Sequence, residues 1–255
     1  MRAVFGDQML KRILQSKAFL HGVARLLLAY AKWCRDTIVF EIEATPKARA
    51  LWESDESFVF AGSHTHVVTV PIFRITQNDM GVIAYESPEV EAIYSAWGIK
   101  EDGVVIMPRK SKNAGTSQEI AKRLTMGWRM IVLMDGPKGP WMKFKTGAFA
   151  AAFQAGKPVL PFVVCAKNDI VMKSWENMRL PLPYSRQKLF LLDPIEVDES
   201  FFEARDHFDE HRDWPQGHPI AAIQDKLKDQ FQRALAAVGA KVELPKPRNR
   251  RKAKQ

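Results

Sequence analysis

Between residues 9 and 31 the apolar positions recur at helical spacing. Leu10, Ile13, Leu14, Leu20, Ala24, Leu27, Leu28 and Ala31 form the stripe, and Lys11, Arg12, Arg25 and Lys32 lie mostly off it. The most apolar stretch, Ala18–Ala31, is 14 residues long and is interrupted by His21 and Arg25. A membrane-spanning helix needs about 20 mostly apolar residues, so this segment is too short to span. No small-x-small site follows it; Lys32, Trp33, Cys34 and Arg35 do, which argues against a signal peptide. An amphipathic helix with Tyr30 and Trp33 near a lipid boundary fits the pattern. A first helix packed on its own domain's core fits it as well.

After Pro46 the pattern alternates. Short β-branched and aromatic runs predict strands at Phe58–Ala61, Val82–Tyr85, Val104–Met107, Met130–Met134, Val159–Val164 and Lys188–Leu192. Helical stretches lie between them at Glu89–Trp97, Thr116–Thr125 and Gly147–Ala155. This alternation predicts an α/β fold with a mixed, largely parallel sheet flanked by helices. Gly156 reads as the C-terminal cap of the helix before it. A last helix over Ile220–Val238 carries Ile223, Leu227, Phe231 and Leu235 on one face, with Asp225, Lys226, Lys228 and Asp229 as its solvated companions. The chain thus divides into an N-terminal helix and linker (1–45), an α/β domain (46–240) and a polar, Pro-interrupted basic tail (241–255) that is expected to be disordered.

Composition changes this picture little, but charge changes it more. Two cysteines in 255 residues, Cys34 and Cys165, exclude a disulfide scaffold and a four-cysteine zinc site. The net charge of +9 is carried at the ends: +5 over residues 1–36, +6 over 241–255 and −2 between them. A slightly acidic body argues against a nucleic-acid groove, and basic ends suit an anionic surface.

Three segments carry chemistry. The strand at residue 58 ends at Gly62-Ser63, and His64 and His66 follow at the sheet rim, where α/β proteins place their sites. A neutral imidazole there is suited to accept a proton from a hydroxyl. The loop Asp135-Gly136-Pro137-Lys138-Gly139-Pro140 follows another strand directly. Its glycines and prolines predict a rigid turn with open N–H groups. With Lys138, Lys143 and Lys145 it would suit a phosphate or carboxylate. Gly156–Pro161 reads as scaffold. Further on, Lys173-Ser174-Trp175 and Arg179–Pro183 form a stiff segment expected to line a cleft. Neither a GxxxxGK[ST] nor a GxGxxG spacing occurs.

In this order, the strand leading to His64, Arg109-Lys110-Ser111, DGPKGP at 135–140, GKPVLP at 156–161, KSW at 173–175 and PLPYS at 181–185 resemble the lysophospholipid acyltransferase superfamily, in particular a bacterial branch with a DGPxGP loop. The similarity covers about residues 58–197. The resemblance implies an acyltransferase-like fold and a membrane-associated enzyme that moves an acyl chain from a thioester to a lipid hydroxyl. By position His64 is its general base. Arg109 and Lys138 fall where the superfamily places basic residues for the acceptor's phosphate, and Ser111, Gly136 and Gly139 complete the expected binding set. The superfamily's carboxylate five residues after the histidine is absent, because Thr69 stands there. Glu86 and Asp135 are the two candidates to replace it. No cofactor is expected; acyl-CoA or acyl-carrier protein would be the co-substrate. A lipid acceptor and a membrane surface are the expected partners, at the cytoplasmic face of the inner membrane in a peripheral or monotopic position.

Other readings compete with this one. His207-Phe208-Asp209-Glu210-His211 has the H-x-x-E-H spacing of inverted zinc proteases. The run around it is mostly charged, and Glu243 is the only downstream glutamate, so a solvated segment without metal is preferred. A non-catalytic lipid- or nucleic-acid-binding protein would use the basic ends. Within the enzyme class, a glycolipid or aminolipid acceptor is the alternative to a lysophospholipid.

Overall fold

The computed structural model describes residues 16–70, 72, 80–85, 104–107, 114–136, 138–202 and 214–240. In chain order these give α1 (Lys17–Thr37), β1 (Val39–Ala44), α2 (Pro46–Glu53), β2 (Val59–Gly62), a 3-10 turn (His64–His66), β3 (Met80–Tyr85), β4 (Val104–Met107) and α3 (Ala114–Thr125). There follow β5 (Arg129–Leu133), α4 (Gly147–Ala155), β6 (Val159–Cys165), β7 (Ile170–Val171), β8 (Arg179–Leu180), β9 (Arg186–Leu191), a second 3-10 turn (Glu199–Phe202) and α5 (Pro219–Ala237). The expected helix at 89–97, the H-x-x-E-H run at 207–211 and the tail at 241–255 lie outside the described residues.

Seven strands form one sheet in the order β1-β9-β6-β2-β5-β3-β4. Strands β6, β2, β5, β3 and β4 run parallel. β9 pairs antiparallel to β6 and brings β1 with it. The sheet is therefore mixed and largely parallel, with helices against both faces, as the alternating pattern predicts.

Both faces of the central strands are buried, which explains why they read as continuous apolar runs. Successive side chains point to opposite faces. Val59, Ala61, Met130 and Val132 face the core under α3, α4 and α5, whereas Phe58, Phe60 and Ile131 face the core shared with α2. Gly156 closes α4 in the left-handed region at φ 59° and donates to Ala152 and Phe153, as its position implies. Thr45 caps α2 by accepting from the Ala48 amide, and Pro46 supplies its first turn.

One difference from the pattern concerns residues 39–44. The segment assigned to helix and linker ends in a sheet strand, separated from α1 by Ile38 alone. The alternation of Val39-Phe40-Glu41-Ile42-Glu43-Ala44 marks a half-covered edge strand. Glu41 pairs with Arg186 and Glu43 with Lys188 on β9 beside it. Another difference is the hairpin β7–β8, two residues per strand, which stands apart from the main sheet.

Candidate active site

Strands β2 and β5 are parallel neighbours, with Gly62 opposite Leu133. The chain leaves β2 toward β3 and leaves β5 toward β6, in opposite directions across the sheet. In open α/β sheets such a divergence at the carboxyl ends of the strands opens a crevice. Two residues beyond Gly62 is His64, and two residues beyond Leu133 is Asp135. The register therefore sets these two side chains against each other.

His64 Nδ1 lies 2.7 Å from Asp135 Oδ1, and the His64 amide donates to the same oxygen at 2.9 Å. The Met142 amide donates to Asp135 Oδ2 at 3.3 Å. The carboxylate is fully buried, while His64 keeps 16% of its side chain exposed. A buried carboxylate holding Nδ1 favours the tautomer that carries its proton there, which leaves the Nε2 lone pair to accept one. Asp135, one of the two candidate carboxylates, is thus found against His64. Glu86 lies outside the described residues, as do Arg109 and Ser111.

The 3-10 turn sends its three side chains about 120° apart, so neighbours in sequence have different fates. Thr65 donates from Oγ1 to the Glu176 carbonyl at 2.8 Å and accepts from Trp141 Nε1 at 2.9 Å. His66 points into the core between the rings of Phe162 and Phe231, at 5.7 and 5.9 Å. It is 1% exposed, and neither ring nitrogen has a partner among the described residues. Burial, aided by the charge of Arg179, lowers its pKa to about 3. His66 is a neutral core aromatic and takes no part at the rim.

The loop after β5 differs from expectation in one respect. Its glycine N–H groups are not open: Gly136 donates to the Leu133 carbonyl and Gly139 to the Gly136 carbonyl, both at 3.1 Å. Two successive tight turns consume the amides that the composition suggested for an anion. Gly136 and Gly139 both adopt positive φ, 66° and 65°, which suits residues without a Cβ. A Cβ on Gly139 would come within 2.5 Å of the Trp175 indole, and one on Gly136 within 3.1 Å of Lys145 Nζ. Of the loop lysines, Lys138 is exposed, Lys145 is half-buried and Lys143 is buried.

Trp175 also approaches His64, with ring centroids 5.6 Å apart. Trp175 of the KSW segment therefore lines the site. It is held there by the Thr65–Glu176 bond and by a turn in which Asn177 and Met178 donate to Ser174. Trp141 and the Met142 amide are site components that the sequence pattern does not reveal. Their only signal is that they directly follow DGPKGP.

No known protein-family profile matches the chain. An uncharacterized protein of Rickettsia prowazekii, RP090, is 27% identical over 144 residues, which is 56% of this chain. That match spans 65% of the relative's own length. Among solved structures, the 1-acyl-sn-glycerophosphate acyltransferase PlsC of Thermotoga maritima is 15% identical with a TM-score of 0.49, over 93% of this chain and 90% of that one.

Proposed function

We propose that the protein is a membrane-associated O-acyltransferase that moves a fatty acyl chain from a thioester, acyl-CoA or acyl-carrier protein, to a hydroxyl of a lysophospholipid-like acceptor. The observation that carries this reading is the His64–Asp135 pair at 2.7 Å, on adjacent strand ends, within the motif order of the superfamily the sequence resembles. In the proposed step His64 Nε2 takes the acceptor hydroxyl's proton as the oxygen attacks the thioester carbonyl. The C–S bond then breaks, and the leaving thiolate takes the proton back from the imidazolium. Asp135 holds the ring and balances its transient charge. A thioester is already activated, so the step needs no nucleotide. General-base help of this kind contributes about 10²–10⁴-fold.

Lys138, exposed three residues after Asp135, is the described residue offered to an acceptor phosphate; Arg109 and Ser111 are proposed to share that role. The glycine amides of the loop are excluded from it by their turn bonds. Work at a membrane surface, the cytoplasmic face of an inner membrane in this reading, is supported by α1. That helix leaves Phe19, Val23, Leu26, Leu27 and Trp33 exposed, by 38–72%. No helix among the described residues is long and apolar enough to cross a membrane.

The test is product analysis by mass spectrometry. Purified protein and His64→Ala are offered long-chain acyl-CoA, acyl-carrier protein and a mixed lipid extract. A new acylated lipid from wild type alone is expected, and its mass distinguishes a phospholipid from a glycolipid or aminolipid acceptor. Turnover by His64→Ala within about tenfold of wild type would remove the general-base assignment.

A further inference from the structure

The hairpin β7–β8 carries three consecutive large apolar residues on its outside. Ile170, Val171 and Met172 are 46%, 37% and 43% exposed. Neighbouring residues of a strand point to opposite faces, so exposure of both Ile170 and Val171 means that neither face is covered. The hairpin projects from the body, yet its base is firmly anchored. Arg179 Nε donates to the buried Asp169 Oδ2 at 3.1 Å, the Ala166 amide donates to the same oxygen, and Gln187 donates to Asp169 Oδ1 at 2.7 Å.

The segment that leaves the hairpin runs to α1. Tyr30 Oη and Cys34 Sγ both donate to the Pro181 carbonyl, and the Tyr184 amide donates to Thr37 Oγ1. Trp33 and Tyr184 meet edge to face at 6.3 Å. At about 100° per residue, Phe19, Val23, Leu26, Tyr30 and Trp33 fall within about 80° of one another on α1. The flank of α1 that touches residues 181–184 is therefore the same flank that leaves its apolar side chains uncovered. Arg25 and Lys32 are exposed on the helix's third face, and Lys167 and Lys173 are exposed on either side of the hairpin's first strand.

From these contacts we infer that the β7–β8 hairpin, with Tyr184, is a second lipid-contacting element, forming one bilayer-facing surface with the apolar flank of α1. The inference rests on the reading of α1 as an interfacial helix. Its occupant is an anionic bilayer: a projecting apolar tip flanked by lysines places hydrocarbon in the acyl boundary and ammonium groups at phosphates. The same hairpin carries Trp175 to within 5.6 Å of His64. Seating the hairpin in a membrane would bring lipid headgroups to the catalytic pair.

The experiment uses the full chain and vesicles of phosphatidylcholine with phosphatidylglycerol. Both native cysteines are fully buried, so Val171→Cys takes an environment-sensitive fluorophore selectively. The expected result is a blue shift with vesicles, and an about tenfold weaker flotation of the Ile170→Ser/Val171→Ser/Met172→Ser variant. His64→Ala should bind like wild type, so failed binding and failed acyl transfer are read separately. An unshifted label combined with loss of binding in Leu26→Ser/Trp33→Ser overturns the hairpin's role and leaves that of α1. Absence of vesicle binding by wild type overturns both. So does a vesicle-free dimer, seen by analytical ultracentrifugation, that the hairpin variant abolishes, because the surface would then serve a second copy of the chain.

Discussion

Replacing Asp135 by Asn probes the site with almost no change of shape. The carboxylate accepts two N–H groups of His64 at one oxygen and the Met142 amide at the other. An amide has one accepting end. If its oxygen faces His64, its NH2 meets the Met142 N–H, donor against donor; the reverse orientation confronts two donors and is worse. The first orientation leaves one buried N–H unsatisfied, at a cost of about 1–3 kcal/mol. It keeps the His64 tautomer but removes the charge that faces the imidazolium. At 2.7 Å and an effective dielectric near 20, that attraction is on the order of 6 kcal/mol. If the retained hydrogen bond offsets half of it, turnover falls about 10²-fold. Urea melts at constant slope give the stability term, acyl-transfer rates the catalytic one, and ¹⁵N spectra of the imidazole should show Nδ1–H in both proteins. Turnover by Asp135→Asn within about threefold of wild type would refute the role given to the carboxylate.

Other outcomes follow from the surroundings of the site. His66 is neutral when folded, with a pKa of about 3 against an ordinary 6.5, so the unfolded chain binds more protons between those values. Stability is therefore complete above pH 6.5 and declines as pH falls toward 3. His66 contributes up to about 1.4 kcal/mol per pH unit to the decline. His66→Leu should flatten that part of the curve in urea melts and leave acyl transfer in place; an unchanged slope would contradict the assignment. Asp169→Ala strands the buried Arg179 and should destabilise by about 3–5 kcal/mol. Limited proteolysis should then cut first within residues 166–180, and an unchanged melting temperature would show that the hairpin is not anchored as described.

The elements with both faces buried were the most legible in the sequence, because a run such as Val159–Cys165 has few other uses. β1 is less legible because two of its six residues are charged and its partner β9 is far away in the chain. At the site, His64 is legible from its place after a strand, but its carboxylate is narrowed only to Glu86 or Asp135. No spacing along the chain links residue 64 to residue 135. Only the adjacency of β2 and β5, and their register, makes the equal offsets of two residues meaningful. His66 shows the converse. Its sequence position resembles that of His64, and two residues of a 3-10 turn separate the rim from the core. The turn bonds of the DGPKGP loop are not legible, because composition shows how many donors a loop has, not which carbonyls its own turns bring to them.

The pairing of β1 with β9 also bears on how the chain is made. Glu41 and Arg186, partners across that pair, are 145 residues apart. At about 5–20 residues per second, β1 emerges from the ribosome roughly 7–30 s before its neighbour exists. During that interval β1 has no strand to pair with, since β9 is its one neighbour among the described residues. The antiparallel addition that completes the sheet thus makes native closure a late, non-local event, and α1, joined to β1 through Ile38 alone, waits with it.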